Sequence, residues 1–342
     1  MLMILVTGGT GLVGSHLLYK LTLNEEKIIA IYRNIETLER VKNVFGYYTD
    51  DTTILFNKIE WIQADITDIP ALEIAFQGIT NVYHCAANLS FNTKNYEASK
   101  ATNVIGTANI VNFCLSEKIE KLCYVSSVAT LGEDTIKPIT ETTHWNPENN
   151  KNNIYAITKY NAELEVWRGT QEGLNAVIVN PGVIMGAGFW NNGTGEIFSK
   201  IANGFGYYTS GSVGIIDVND VADVMINLMH TNIKNEKFIL ISENISYQKL
   251  VSEINQHLNP NQKLTELKKW QLVVFYQFEK IKYLFLKGDS SLSNVAINSS
   301  FKNLNYDASK IKKAISFKFT SVSNSIQQIA KQHQSDLKQK AT

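Results

Sequence analysis

Residues 3–14 read MILVTGGTGLVG. A short apolar run, Met3 to Val6, ends at Thr7, and glycines follow at Gly8, Gly9, Gly11 and Gly14. SHLLYKL (15–21) then resumes with apolar residues at helical spacing. Strand, glycine turn, helix is the order that aims the free N–H groups of a helix start at a phosphate. Glycine is needed because the backbone turns tightly, approaches a pyrophosphate and lets helix lie on strand with no Cβ between them. Alone, a glycine triplet reads equally well as an ordinary turn. Its place between a strand and a helix makes it a dinucleotide site and marks the sheet edge where the ligand lies.

Outward from that stretch, further strands are expected at IIAIY (28–32), IEWIQAD (59–65), NVYHCAA (81–87), KLCYVSS (121–127) and NAVIVN (175–180). Helical spacing falls between them at about 12–24, 35–44, 94–116 and 153–169. Another helix begins after Asp68, an N-cap candidate, with Pro70 at an early helical position. Segments 46–57 and 132–152 read as loops. Strands alternating with helices at this period make a parallel sheet covered on both faces. Right-handed crossovers then give an α/β fold, a Rossmann-type doubly wound parallel sheet with its ligand at the strand C-terminal ends.

Beyond Pro181-Gly182 the alternation breaks. Glycine- and aromatic-rich loops (188–195 and 203–214) flank a short helix, and a strand runs into a helix within 215–229, with Asn219 as the expected cap. FILIS (238–242) is another buried strand, and 246–330 is mostly helical. The expected division is a dinucleotide-binding domain (1–182 plus 215–245), a smaller, mostly helical C-terminal substrate lobe (183–214 plus 246–330) and a polar, frayed tail (331–342).

Lys+Arg and Asp+Glu balance at 32 each, so no overall charge draws the chain to nucleic acid. Cys85, Cys114 and Cys123 lack metal-type spacing and suit a reducing cytoplasm. Met1–Val6 is too short, and too soon broken by Thr7-Gly8-Gly9, to be a signal peptide. Glu279, Lys280 and Lys282 interrupt the apolar run at 272–286, so it is not a membrane span. The aromatic helix around 265–286, with Trp270, Phe275, Phe278, Tyr283 and Phe285, reads first as core or homodimer contact, then as a pocket cap or membrane-surface contact.

The end of the second strand selects the cofactor: an acid bonds the ribose 2′-hydroxyl of NAD, and an arginine accommodates the 2′-phosphate of NADP. Here Tyr32-Arg33 stands with no acid before Glu36, and Arg40 follows. Arginine otherwise occurs only at Arg168, so the pair favours NADP(H), with NAD(H) as the alternative. Asp65-Ile66 is placed to meet the adenine edge or to cap the next helix.

Reducing a carbonyl needs a proton donor at its oxygen and a group that holds that oxygen. A tyrosine serves if a neighbouring cation lowers its pKa. Tyr155 and Lys159 are four apart on a helix, hence adjacent on one face. The spacing recurs at Tyr96–Lys100, Tyr276–Lys280 and Tyr283–Lys287. Only Tyr155 follows the strand ending in Ser126-Ser127 and precedes the strand ending in Pro181-Gly182, both of which open on the glycine-turn edge.

Taken in order, TGGTGLVG, Asp65, HCAA (84–87), TNVIGT (102–107), VSSVATLG (125–132), YAITK (155–159), NPGVIMGAG (180–188) and DVNDVA (217–222) resemble an extended short-chain dehydrogenase/reductase of the NAD-dependent epimerase/dehydratase superfamily. The resemblance implies that Ser127 holds the substrate oxygen and that Tyr155 is the acid/base. Lys159 would lower the pKa of Tyr155 and bind the nicotinamide ribose, and Asn103 would belong to a proton relay. It also implies cofactor contacts at Gly8, Thr10, Gly11, Leu12, Val13, Gly14, Ala86, Ala87, Pro181, Val183 and Ile184. Asn180 stands where many members carry arginine.

Arg33 and Arg40 match the basic pair of dihydroflavonol 4-reductase-like and 3β-hydroxysteroid-dehydrogenase-like members. Phe189, Trp190, Phe198, Phe205, Tyr207 and Tyr208 suggest an apolar or aromatic carbonyl substrate. The alternatives are a nucleotide-sugar epimerase or dehydratase and a non-catalytic NADPH-sensing protein. The former usually carries an acid after the second strand and arginines in the C-terminal lobe; the latter characteristically loses the tyrosine or lysine.

Overall fold

The computed structural model describes residues 2–24, 27–285 and 293–341. The first half runs β1 (Met3–Thr7), α1 (Leu12–Thr22), β2 (Lys27–Tyr32), α2 (Thr37–Phe45), α3 (Thr52–Phe56), β3 (Ile59–Gln63), α4 (Ile69–Ala75), β4 (Asn81–His84), α5 (Tyr96–Lys100), α6 (Gly106–Ser116), β5 (Lys121–Val125), α7 (Ile154–Gln171) and β6 (Ala176–Pro181). The second half runs β7 (Val183–Met185), α8 (Gly193–Ala202), β8 (Tyr207–Tyr208), β9 (Ser212–Asp217), α9 (Val218–Met229), β10 (Glu236–Leu240), β11 (Glu243–Ser246), α10 (Tyr247–Leu258), β12 (Thr265–Glu266), α11 (Lys269–Phe285), α12 (Asn294–Ser299), α13 (Ser309–Ile315) and α14 (Val322–Ala341).

Seven strands form one sheet in the order β10-β6-β5-β4-β1-β2-β3. Every pairing in it is parallel. The order reverses between β1 and β4, and the crevice beyond their C-terminal ends is where such a sheet takes a ligand. Alternate residues feed opposite faces, as the two-residue strand period requires. Ile4, Val6, Ile28, Ala30, Val177 and Val179 enter one core. Leu5, Ile29, Ile31, Val82, Leu122 and Ile178 enter the other. The expected doubly wound α/β sheet is the observed one.

Asp68 caps α4 by accepting from the Ala71 amide, with proline in the first turn. At α9 the expected cap, Asn219, lies inside the helix; Asp217 caps it, accepting from the Asn219 N–H at 2.7 Å. The helix expected across 94–116 runs without a gap from Tyr96 to Ser116, passing from α5 to α6 through a π-helical turn, Ala101–Ile105. Such turns are frequent at functional sites, and this one carries Asn103.

A third core lies outside the main sheet and joins Met185, Phe198, Ile201, Ile215, Leu250, Ile254, Ile326 and Ile329. β9 therefore belongs to a second sheet, between β11 and β7. Residues 331–341, expected to be frayed, continue α14: His333 is buried, and Asp336 accepts from Trp190 Nε1 at 2.6 Å and from the Tyr47 hydroxyl at 2.5 Å. The 46–57 loop contains α3, and its tyrosines reach far: Tyr48 lies 2.5 Å from His16 Nδ1 and 2.9 Å from Asn219 Oδ1. On α11, Trp270, Val273, Val274, Phe275 and Phe278 are exposed and Tyr276 is buried, so core packing does not account for most of these side chains. Lys280, Tyr283, Phe285 and Lys287 lie outside the residues whose side chains are described. Among the described residues, no helix is long and apolar enough to cross a membrane.

Candidate active site

The cofactor edge begins at the glycine turn. Gly8 has φ +69°, a left-handed conformation that favours glycine. A Cβ on Gly8 would stand 2.6 Å from the Ala86 nitrogen, and one on Gly14 would stand 2.2 Å from Gly8 O. The turn is thus packed between β1, the segment after β4 and the start of α1, where Thr10, Leu12 and Val13 lie. Gly11, the N-cap residue of α1, has no side chain with which to cap, so the first helical N–H groups stay available to a phosphate. This cradle, which a Cβ would fill, fits a dinucleotide.

Arg33 and Arg40 take different partners. Arg33, at the end of β2, is mostly exposed and lies 3.6 Å from Asp65 Oδ2 at the end of β3. Burial opposes ionisation of Asp65, but hydrogen bonds from Thr67 and the Arg33 charge outweigh it and hold the carboxyl below its usual range. The Arg40 guanidinium lies 5.2 Å from the centre of the Phe189 ring. Ile66 is buried in the core, and its side chain fills the space beside Gly106. Ala87 is exposed on the same edge as Ala86, and Pro181 ends β6. Val183 is 36% exposed, and it and Ile184 continue along β7.

Tyr155 lies in the first turn of α7, which Asn153 caps by accepting from the Ala156 N–H at 3.1 Å. Ser127 begins a 3-10 turn and accepts from the Ala129 N–H at 3.1 Å. It lies near enough to the Tyr155 phenol to act on its ionisation. Burial raises the Tyr155 pKa, and the neighbouring Ser127 side chain opposes the rise. Phe91, 43% exposed, lies with its ring centre 5.6 Å from that of Tyr155. The structure therefore brings together the hydroxyls expected to hold and protonate an oxygen.

Lys159 is fully buried one turn further on. Its Nζ donates to the Tyr124 hydroxyl at 2.6 Å and to Val125 O at 2.7 Å. Burial lowers its pKa to about 7, against the opposing charge of Glu163. Tyr124 stacks on His84, which lies 2.6 Å from Thr7 Oγ1 and 2.9 Å from Thr107 Oγ1. Asn103 is pinned: its side chain exchanges bonds with the Asn88 backbone and donates to Thr158 Oγ1 at 3.0 Å, between Tyr155 and Lys159 on α7.

Sequence reasoning missed Tyr124 and Glu163. Glu163 carried a signal, since it continues the four-residue spacing of Tyr155 and Lys159 along one helix face. Tyr306 and Lys310 repeat the Tyr–Lys spacing too, but Lys310 pairs with Glu236 and bonds Lys237 O. Of the six aromatics expected to wall the substrate, Phe198 is core, and Trp190 is held by Asp336 with its ring against His333. Phe205 and Tyr207 pack edge to face and are exposed.

A model of the NAD dependent epimerase/dehydratase family matches residues 4–240. The chain is 28% identical over 313 residues to a Synechocystis sp. protein named "Putative dihydroflavonol 4-reductase", covering 89% of this chain and 87% of that one. The crystal structure of gox2253 superposes with TM-score 0.79 at 25% identity, covering 98% of both chains. A UDP-glucose 4-epimerase from Thermotoga maritima, solved with UDP-glucose, superposes with TM-score 0.75 at 18% identity, covering 98% of this chain and all of that one.

Proposed function

We propose that this chain, which belongs to the NAD dependent epimerase/dehydratase family of enzymes, is an NADPH-dependent oxidoreductase that reduces a ketone or aldehyde on an apolar or aromatic small molecule. The observation that carries the reading is the juxtaposition of Ser127 and Tyr155, one helical turn from the buried Lys159, on the edge that the glycine turn marks. A bound reduced nicotinamide supplies the hydride. Ser127 holds the carbonyl oxygen, and Tyr155 gives it a proton as negative charge develops there. Lys159 places a cation close to the phenol and, on this reading, turns its remaining N–H towards the nicotinamide ribose. Gly8 to Gly14 hold the pyrophosphate, and Arg33 meets the 2′-phosphate. Exposed Phe91, adjoining Tyr155, supports an apolar substrate.

The nucleotide-sugar reading is weaker because a diphosphate is usually clamped by cations, and the chain has no arginine after Arg168. Titration with NADPH, NADH and a set of UDP-sugars separates the two. Tight NADPH binding, with turnover of an aromatic ketone or aldehyde, is the expected result. Tight UDP-sugar binding without carbonyl reduction would replace this reading with the epimerase.

A further inference from the structure

Behind the reacting groups lies a second cluster that the proposed reaction does not use directly. Glu163 is 3% exposed on α7, one turn beyond Lys159 and two beyond Tyr155. Its Oε2 accepts from Ser126 Oγ at 2.6 Å, Thr130 Oγ1 at 2.7 Å and Asn180 Nδ2 at 2.9 Å. Its Oε1 accepts from Trp167 Nε1 at 3.3 Å and from Lys237 Nζ at 3.2 Å. Lys237 comes from β10, the edge strand beside β6. Ser126 and Thr130 bracket the turn that presents Ser127, and Asn180 Nδ2 also donates to Ser127 O at 3.1 Å.

A carboxylate this deep stays ionised only where a cation and several donors compensate for the water it has lost. Hydroxyls and amides supply the donors, and Lys237 supplies the charge. Burial pushes the Glu163 pKa up, and Lys237, Ser126, Thr130 and Asn180 together more than reverse that. The negative charge is then felt one helical turn away at Lys159, which otherwise faces Tyr124 from β5 and His84 and Cys85 from the end of β4. Asn180 thereby has a role: a neutral amide on β6 ties the carboxylate to the Ser127 turn, while the compensating charge arrives from the next strand.

We propose that Glu163 and Lys237 are positioning residues, an ion pair that clamps the Ser126–Thr130 turn and holds a negative charge one helical turn from the Lys159 ammonium. The inference rests on the proposed roles of Ser127, Tyr155 and Lys159.

Two measurements test it. NADPH binding to the full chain, followed by fluorescence across neutral and alkaline pH, weakens as Lys159 loses its proton. In Glu163→Gln that weakening sets in about one pH unit lower, so that binding at mildly alkaline pH falls by up to roughly tenfold. Superimposable pH curves would overturn the electrostatic role. Separately, a denaturant-unfolding cycle compares Glu163→Gln, Lys237→Met and the double variant. The double variant should be more stable than Lys237→Met alone, because removing the cation alone strands a buried carboxylate. Strictly additive effects would overturn the ion pair. This cycle reads without cofactor, so failure of the wild-type chain to bind NADPH would count against the proposed function and leave the pair to be judged by stability.

Discussion

Lys159 and Tyr124 meet at 2.6 Å, ammonium to phenol, in a space from which both are almost wholly excluded from water. The Lys159 ammonium also lies 4.3 Å from the Tyr124 ring centre, so the lysine is held by the face and the hydroxyl of one residue. Tyr124→Phe keeps the ring and removes the hydroxyl. Unfolding in urea should show a loss of about 1–3 kcal/mol, the usual cost of leaving a buried donor without its acceptor. NADPH affinity should fall with it; unchanged stability would mean that Lys159 turns readily to another acceptor.

Tyr155→Phe removes the proposed proton donor while keeping the ring against Phe91. Turnover of a carbonyl substrate should fall by about 10²–10⁴-fold. NADPH binding should be nearly unchanged. Substantial residual turnover would assign the proton to another group.

Arg33→Ala should weaken NADPH by roughly tenfold or more and leave NADH almost untouched, since only the former carries the phosphate. Equal weakening of both cofactors would point instead to the Asp65 pairing as the role of this arginine.

Gly14→Ala inserts a Cβ 2.2 Å from Gly8 O, against backbone that cannot yield cheaply. The strand–helix turn must open, at a cost of roughly 1–3 kcal/mol in stability. Calorimetric titration should show loss of binding for NADPH and NADH alike, the opposite pattern to Arg33→Ala.

Two histidines set the response to acid. Burial lowers the His16 pKa from 6.5 to about 4, with the Ala187 carbonyl opposing and Lys20 assisting. Burial, helped by the Lys159 charge, takes His84 from 6.5 to about 3. Both pKa values are depressed bases, so the unfolded chain binds more protons and stability rises with pH. Their contribution is complete above about 6.5 and is lost as pH falls towards 4 for His16 and 3 for His84. Each should cost on the order of 2 kcal/mol by pH 5. Urea unfolding at pH 7 and pH 5 measures the sum, and His16→Gln should flatten the dependence.

The parallel sheet was legible in the sequence because strands buried on both faces read as unbroken apolar runs, IIAIY and AVIVN among them. The edge was legible because glycine answers a local backbone need at Gly8 and Gly14. Spacing singled out Tyr155 and Lys159 only when joined to their place between the strands that end in Ser126-Ser127 and Pro181-Gly182. What the spacing could not supply was the partner of Lys159: Tyr124 lies 35 positions away on another strand, and only the register of β5 against α7 brings it near. Lys237 was hidden for the same reason, as was the bond from Tyr47 to Asp336. Asn219 misled because Asp217, two residues earlier, has the same short acceptor side chain and an extended backbone that begins the helix sooner.

Asp336 takes one hydrogen bond from Tyr47, just after α2, and one from Trp190, which packs against the third core. The first of these contacts spans 289 positions. During synthesis the β1–β6 units can pair as they emerge, each strand next to one already made, but this junction has no acceptor until α14 has left the ribosome. The nascent protein therefore carries a nearly finished sheet whose attachment to the third core at this point waits for Asp336, and the interval before sealing lengthens with every residue translated between Trp190 and Asp336.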